Sequence, residues 1–395
     1  MRVIGLVAIA HGLSHFFQIA TAVVFPLIRD DLGVSYMALG ATVAVYYTVS
    51  GVFQTVAGFA VDRLGARRVL FFGLVMSTAG ALFAGLAHSY PMLLVAAVVG
   101  GLGNSVFHPC DFSILNARVR KELLGYAFSW HGIAGFLGYA AAPTYAIAMV
   151  QATGWRGALL GAAAMGAVVV AFLVAQRDAL YAEPADGRAT RTAEGFAGDL
   201  KVLTSAPVLM CFGYFILIAV GFIGIQTFGV ATMISLYGVG TALASAALTS
   251  YLLGAAAGIF TGGFVAVRTS RHDLVAVSGM VVSAILMFIL ASAWLPAAAL
   301  PALFAATGFF GGMTNPSRDL IVRANTPSGA TGKVYGFVYS GLDVGSMATP
   351  VFFGWLLDRG QPAAVLYSVV VAAALTILTV LNLQRRRIEP VPQSR

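Results

Sequence analysis

Charge is what this sequence has least of. Asp, Glu, Lys and Arg make up 10% of its 395 residues, against about 25% in a soluble globular chain. With 59% of the residues hydrophobic, no water-soluble core could enclose the apolar surface. A soluble enzyme, a nucleic-acid-binding module and a disordered chain are excluded on that ground, and an all-α integral membrane protein is the class that fits. Cysteine is nearly absent: Cys110 and Cys211 both fall in apolar stretches, where a disulfide framework has no role, so both read as buried thiols. Long polar sequence is equally scarce, and only 176–206 qualifies. No Gly-x4-Gly-Lys-Ser/Thr run occurs, which argues against ATP coupling within the chain, and no cofactor is expected. There is no nucleophile-plus-base motif either, so the chain does not read as an enzyme.

What is present is a series of apolar runs. A membrane-crossing helix needs about 20 mostly apolar residues, and twelve stretches meet that need: 4–28, 37–60, 69–87, 91–116, 127–149, 157–175, 207–232, 241–265, 274–293, 297–321, 334–356 and 363–383. The first is preceded by one charge, Arg2, and has no convincing cleavage site, so it is expected to stay as a helix. With both termini cytoplasmic, 19 of the 23 Lys and Arg residues fall in cytoplasmic segments, Arg29, Arg156 and Arg359 fall outside, and Arg318 lies within a span. The net charge of +8 is therefore a topology signal and not a nucleic-acid footprint. The expected organisation is a six-helix bundle over 1–175, a cytoplasmic linker over 176–206, a second six-helix bundle over 207–384, and a basic cytoplasmic tail over 385–395 that carries Arg385, Arg386 and Arg387.

The two halves repeat. Gly58, Phe59 and Arg63 recur as Gly263, Phe264 and Arg268 at an offset of 205. Phe107-His108-Pro109 aligns with Thr314-Asn315-Pro316, and Gly138 and Pro143 align with Gly345 and Pro350, all at 207. Agreement at equivalent spans points to a duplicated bundle and a pseudo-symmetric fold.

The run Gly58-Phe59-Ala60-Val61-Asp62-Arg63-Leu64-Gly65-Ala66-Arg67-Arg68 resembles the loop motif of the major facilitator superfamily, and lies between spans two and three as it does there. Val267 stands where the second copy would have its acid. Asn315-Pro316-Ser317-Arg318-Asp319, Gly341-Leu342-Asp343-Val344-Gly345 and His108-Pro109 resemble, more narrowly, transporters of the fosmidomycin-resistance type. The resemblance implies the twelve-helix major facilitator fold, a bacterial inner membrane, and efflux of a small drug-like or anionic compound. Independently of the family, Asp62 among Arg63, Arg67 and Arg68 at a helix junction fits a conformational latch, with Gly58 and Gly65 permitting close backbone approach. Plain positive-inside anchoring accounts for the arginines but leaves the acid unexplained.

Polar side chains inside apolar spans normally face a cavity or a partner, because a charge at mid-membrane costs at least about 2.5 kcal/mol. His11, His15 and Gln18 share one face of span one, and Asn104, His108 and Asp111 share one face of span four. Span two carries Tyr47, Ser50 and Gln54, span five His131, span ten Asn315, Arg318 and Asp319, and span eleven Asp343. Spans three, six, nine and twelve carry no charge and read as lipid-facing supports. The candidate substrate or coupling residues are thus His15, Gln18, Asn104, His108, Asp111, His131, Asn315, Arg318, Asp319 and Asp343. His15, Asn104 and Asp343 sit near mid-span. Asp111, His131, Arg318 and Asp319 sit nearer the cytoplasmic ends, where Arg318 either anchors an anion or pairs with Asp111 or Asp319 across the bundles in a gate. No metal is expected, because the His11 and His15 pair lacks a third Cys, Asp or Glu on its face.

These features lead to the expectation of a monomeric, proton-coupled secondary transporter. It would alternate access around a midplane site, with Asp343 as the proton carrier and a small organic solute as cargo. Uptake of an organic anion such as a carboxylate is the alternative, and a membrane-embedded sensor or scaffold is the alternative of another class.

Overall fold

The computed structural model describes residues 1–120, 123–181, 203–325 and 331–388; within these, the side chains of Thr55, Phe59, Asp62, Gly125, Tyr126, Arg323, 331–333, 335–336 and 385–388 are not described. Most of the expected linker and the end of the basic tail therefore lie outside the described residues, as does the Asp62 side chain.

Fourteen α-helices account for nearly all of the rest. The first half comprises α1 (Arg2–Val23), α2 (Phe25–Leu32), α3 (Tyr36–Leu64), α4 (Ala66–Gly85), α5 (Tyr90–Asn104), α6 (Phe107–Arg118) and α7 (Leu124–Ala175). The second comprises α8 (Ala206–Tyr237), α9 (Thr241–Arg268), α10 (His272–Ala291), α11 (Leu300–Met313), α12 (Asn315–Ala324), α13 (Thr331–Asp358) and α14 (Pro362–Ile388). Among the described residues, ten helical stretches are long and apolar enough to cross a membrane, one of them being Ala127–Ala175. That stretch is two crossings. Gly154 breaks it with φ 69°, and Tyr145 Oη donates to the Ala158 carbonyl at 2.8 Å, although a straight helix would hold those residues about 20 Å apart. With α13 added the count is twelve, as the apolar runs predict.

Three of the crossings are broken, and prolines break them. Pro26, Pro109 and Pro316 each lack an N–H and crowd the carbonyl four residues earlier, and the helices restart at Phe25, Phe107 and Asn315. Two of these breaks lie at the repeat positions of spans four and ten. Each is packed under a matching glycine: a Cβ on Gly73 would strike Val106, and one on Gly279 would lie 2.6 Å from Thr314 Cγ2. The duplication thus preserves a backbone irregularity together with the hole that accommodates it.

Small residues also set the helix crossings. A Cβ on Gly138 would collide with the Gly12 carbonyl, bringing α7 against α1, and one on Gly345 would lie 2.8 Å from the Ile216 carbonyl, bringing α13 against α8. Gly254, Gly258 and Gly262, four residues apart, put the backbone of α9 directly on α11, the small-residue crossing expected where lipid supplies no hydrophobic drive between helices. The halves meet through α3 on α13 and α7 on α9. Outward faces of α4, α7, α10 and α14 carry large exposed apolar side chains, among them Phe72, Val168, Ile285 and Leu378.

Candidate functional site

Between the halves lies a cavity of about 750 Å³, within the roughly 300–1,000 Å³ that small-molecule sites occupy. Its first-half wall comes from α1, α3, α5, α6 and α7, and Gln18 is its hub. Gln18 Nε2 donates to Asn104 Oδ1 at 2.8 Å, and Gln18 Oε1 accepts from Tyr139 Oη at 2.6 Å and from Tyr47 Oη at 3.4 Å. Asn104 Nδ2 donates onward to Ser50 Oγ at 2.8 Å. Gln18 and Asn104 both line the cavity; Tyr139 was not singled out from sequence, because an aromatic residue in an apolar span carries no distinguishing pattern.

The opposite wall is different in character. Arg318 and Asn315 come from α12, Tyr339 and Asp343 from α13, and all four line the cavity. Arg318 Nε donates to Asp319 Oδ1 at 2.9 Å and its Nη1 to Asn315 Oδ1 at 3.3 Å, while its Cζ stands 4.8 Å from the centre of the Phe215 ring. Tyr339 Oη donates to Asp319 Oδ1 at 2.9 Å. Arg318 therefore pairs inside its own half and not across the bundles. Position within an apolar run does not specify azimuth, and a long arginine side chain reaches its immediate neighbour. The Asp343 carboxylate faces the cavity and makes no hydrogen bond or ion pair among the described residues.

Asp111 and His131 are not lining residues but stand behind the wall, and Asp319 stands behind Arg318. Asp111 is fully buried, with His11 Nδ1 and His131 Nε2 each 3.1 Å from its Oδ2. The rings of His11 and His131 stack with centroids 3.5 Å apart, and His15 and His108 lie 4.3 and 5.4 Å from His11. Gly135 makes this crowding possible: a Cβ there would lie 2.7 Å from His15 Cε1 and 3.1 Å from His11 Nε2. The supports are not purely supports either, since α10 adds Met280, Ser283 and Met287 to the lining, and α14 adds Val369, Ala373 and Thr376.

At the end where α3 begins and α13 finishes, the cavity is sealed. The Asp358 carboxylate accepts from the backbone N–H of Tyr36 and of Met37, both at 2.8 Å, so a residue of one half caps a helix of the other. Gly40 and Gly354 leave no room for a Cβ against the Pro350 and Tyr36 carbonyls, and Phe228 packs on Phe25 and Tyr36. Nothing in the sequence marked Asp358, because its partner is 322 residues away. At the opposite end, Gly65 ends α3 with φ 84°, a conformation glycine adopts freely. Gly58 does not serve close approach, since a Cβ there would meet nothing within 4 Å. Arg67 lies 3.5 Å from Asp178 and 5.0 Å from the Tyr181 ring, whereas Arg63 and Arg68 are exposed.

The profile of the Major Facilitator Superfamily matches residues 7–245 and 227–395. The chain belongs to that superfamily. Among relatives of this facilitator are a probable L-galactonate transporter of Escherichia coli, 26% identical over 35% of this chain and 31% of that protein, and the fosmidomycin resistance protein of Escherichia coli, 27% identical over 27% and 26%. The aligned stretches thus span about a third or less of those relatives. A bacterial homolog of the human lysosomal transporter Spinster, in an inward-facing and occupied conformation, superposes with a TM-score of 0.77 at 13% identity, covering 99% of this chain and 98% of that one. Its relatives and fold are accordingly those of multi-pass membrane transporters and not of enzymes.

Proposed function

We propose that this facilitator is a proton-coupled secondary carrier that moves a small organic anion by alternating access around the central cavity. The observation that carries the reading is the asymmetry of the cavity walls. One wall offers amide, hydroxyl and imidazole groups, and the other carries the Arg318 guanidinium together with the Asp343 carboxylate, which has no hydrogen bond or ion pair among the described residues. The guanidinium presents a planar fork suited to a carboxylate or phosphonate. Its Nε is engaged by Asp319, so the anion meets the remaining donors. Asp343 exchanges the proton, with His15 or His108 as relay.

Under the positive-inside orientation the sealed end faces outward, so the described conformation is inward-facing, in an inner membrane with cytoplasmic termini. Asp62 and its neighbouring arginines brace the cytoplasmic ends in the opposite state, and the carrier works as a monomer. Efflux is the favoured direction, in keeping with a resistance protein among the relatives, and uptake is the alternative; the probable L-galactonate transporter supports a carboxylate as cargo in either direction.

The test is accumulation of a panel of sugar acids, short carboxylates and phosphonates in proteoliposomes under an imposed pH gradient. The expected result is gradient-dependent movement of at least one anion, reduced at least tenfold in Arg318→Gln. Movement of neutral or cationic compounds alone, untouched by that substitution, contradicts the anion reading.

A further inference from the structure

A cluster of side chains in the first half meets the transport reading only at His108, which lines the cavity. His11 of α1, His108 of α6 and His131 of α7 offer three ring nitrogens that lie within 4.8 Å of one another. The Asp111 carboxylate adjoins them, with Oδ2 3.1 Å from both His11 Nδ1 and His131 Nε2. We propose that these four side chains bind one divalent transition-metal ion of the Zn²⁺ or Ni²⁺ class, entering from the central cavity past His108.

Three observations converge on it. Three ring nitrogens are already gathered within 4.8 Å of one another, and a tetrahedral ion with bonds of about 2.0–2.1 Å needs its ligands about 3.4 Å apart, close to the 3.1 Å that separates Asp111 Oδ2 from His11 Nδ1 and from His131 Nε2. The cluster is also short of partners. Only the His131–Asp111 contact has hydrogen-bond geometry, at 3.1 Å, while His11 Nδ1, Asp111 Oδ1 and the neighbouring His15 Nδ1 are buried without a hydrogen bond. Buried polar atoms are rarely left in that condition, and a cation coordinated by His11 Nδ1 relieves one of them directly. Finally, access is graded: His11, Asp111 and His131 are buried, whereas His108 is exposed and lines the cavity. The Phe112 ring stands beside the cluster, 5.2 Å from His131.

Three imidazoles and one carboxylate select borderline ions over Mg²⁺ and Ca²⁺, which take all-oxygen sites. Sequence spacing on α1 alone argues against a metal because His11 and His15 have no third ligand on their face; the missing ligands come from α6 and α7. The site stands whether or not the cavity carries an anion, so its test is independent of transport.

The full chain, with any affinity tag removed and stripped by chelator, is titrated with Zn²⁺ and separately with Ni²⁺ against a competing indicator dye. One equivalent is expected to bind. His131→Gln and His108→Gln are each expected to weaken binding at least about tenfold, and His88→Gln, at an exposed position remote from the cluster, to leave it unchanged. X-ray absorption of the bound ion is expected to show imidazole scattering. His108→Gln keeps the test open should the buried variant fail to fold, since that ring faces the cavity. The proposal is overturned by the absence of stoichiometric binding, by equal affinity in wild type and His108→Gln, by displacement with millimolar Mg²⁺, or by an oxygen-only shell around the ion.

Discussion

Gln18 holds more of the cavity wall in place than any charged residue does. Its amide joins α1 to α3, α5 and α7 through Tyr47, Asn104 and Tyr139, and each partner left unsatisfied costs about 1–3 kcal/mol. Gln18→Ala is therefore expected to lower the melting temperature and to raise the dissociation constant of the bound solute about tenfold, equivalent to roughly 1.4 kcal/mol. Thermal-shift titration of wild type and variant measures both. Gly135 makes a second prediction. A methyl there presses on His11 and His15, so Gly135→Ala is expected to destabilise by about 1–3 kcal/mol, read as a shift in thermal or denaturant midpoint. A neutral effect would mean the imidazoles have free volume that the geometry denies them. Side chains such as His15, Gln18 and Asn104 were legible in sequence because polar residues at helical spacing inside an apolar run have few other uses. Gly135 and Tyr139 were not, because their roles come from neighbours on α1, and sequence does not say which helix a face will meet.

At the scale of elements, the informative features are the ends and the breaks. The breaks before α6 and α12 follow from Pro109 and Pro316 and were foreshadowed by the repeat alignment. The cap of α3 by Asp358 was not, since it depends on the docking of two halves. That cap exists only while the sealed end is closed. A cap of this kind is worth about 1 kcal/mol, with up to about 1 kcal/mol more from the helix dipole. Asp358→Ala is expected to shift the conformational balance toward opening at that end roughly fivefold to thirtyfold. Spin labels at the exposed positions Asp30 and Arg359, on either side of the seal, report the shift as a longer distance population. Gly40→Val is expected to act in the same direction and more strongly, because its side chain collides with the Pro350 carbonyl backbone, which cannot swing aside as a flexible side chain would. An unchanged distance distribution in both variants would remove the seal from the transport cycle.

For the whole molecule, two six-helix halves enclose one chamber and present apolar side chains outward. The twelve crossings and the duplication were readable from run length and a constant offset, which are properties of the chain alone. The pairing of Arg318 within its own half, and the contribution of α10 and α14 to the lining, were not, because each depends on rotation about a helix axis that hydropathy does not encode. The three arginines on the sealed side show the same limit. Arg29, Arg156 and Arg359 are exceptions to the charge rule, yet each lies over an aromatic ring, at 4.9, 4.2 and 4.6 Å, a placement that satisfies a cation without altering topology. The central claim is that solute and proton meet in the chamber through Asp343. In proteoliposomes loaded with a transported anion, Asp343→Asn should retain exchange of labelled for unlabelled anion across the membrane while losing accumulation driven by a pH gradient. Gradient-driven accumulation at the wild-type level in that variant would contradict the account.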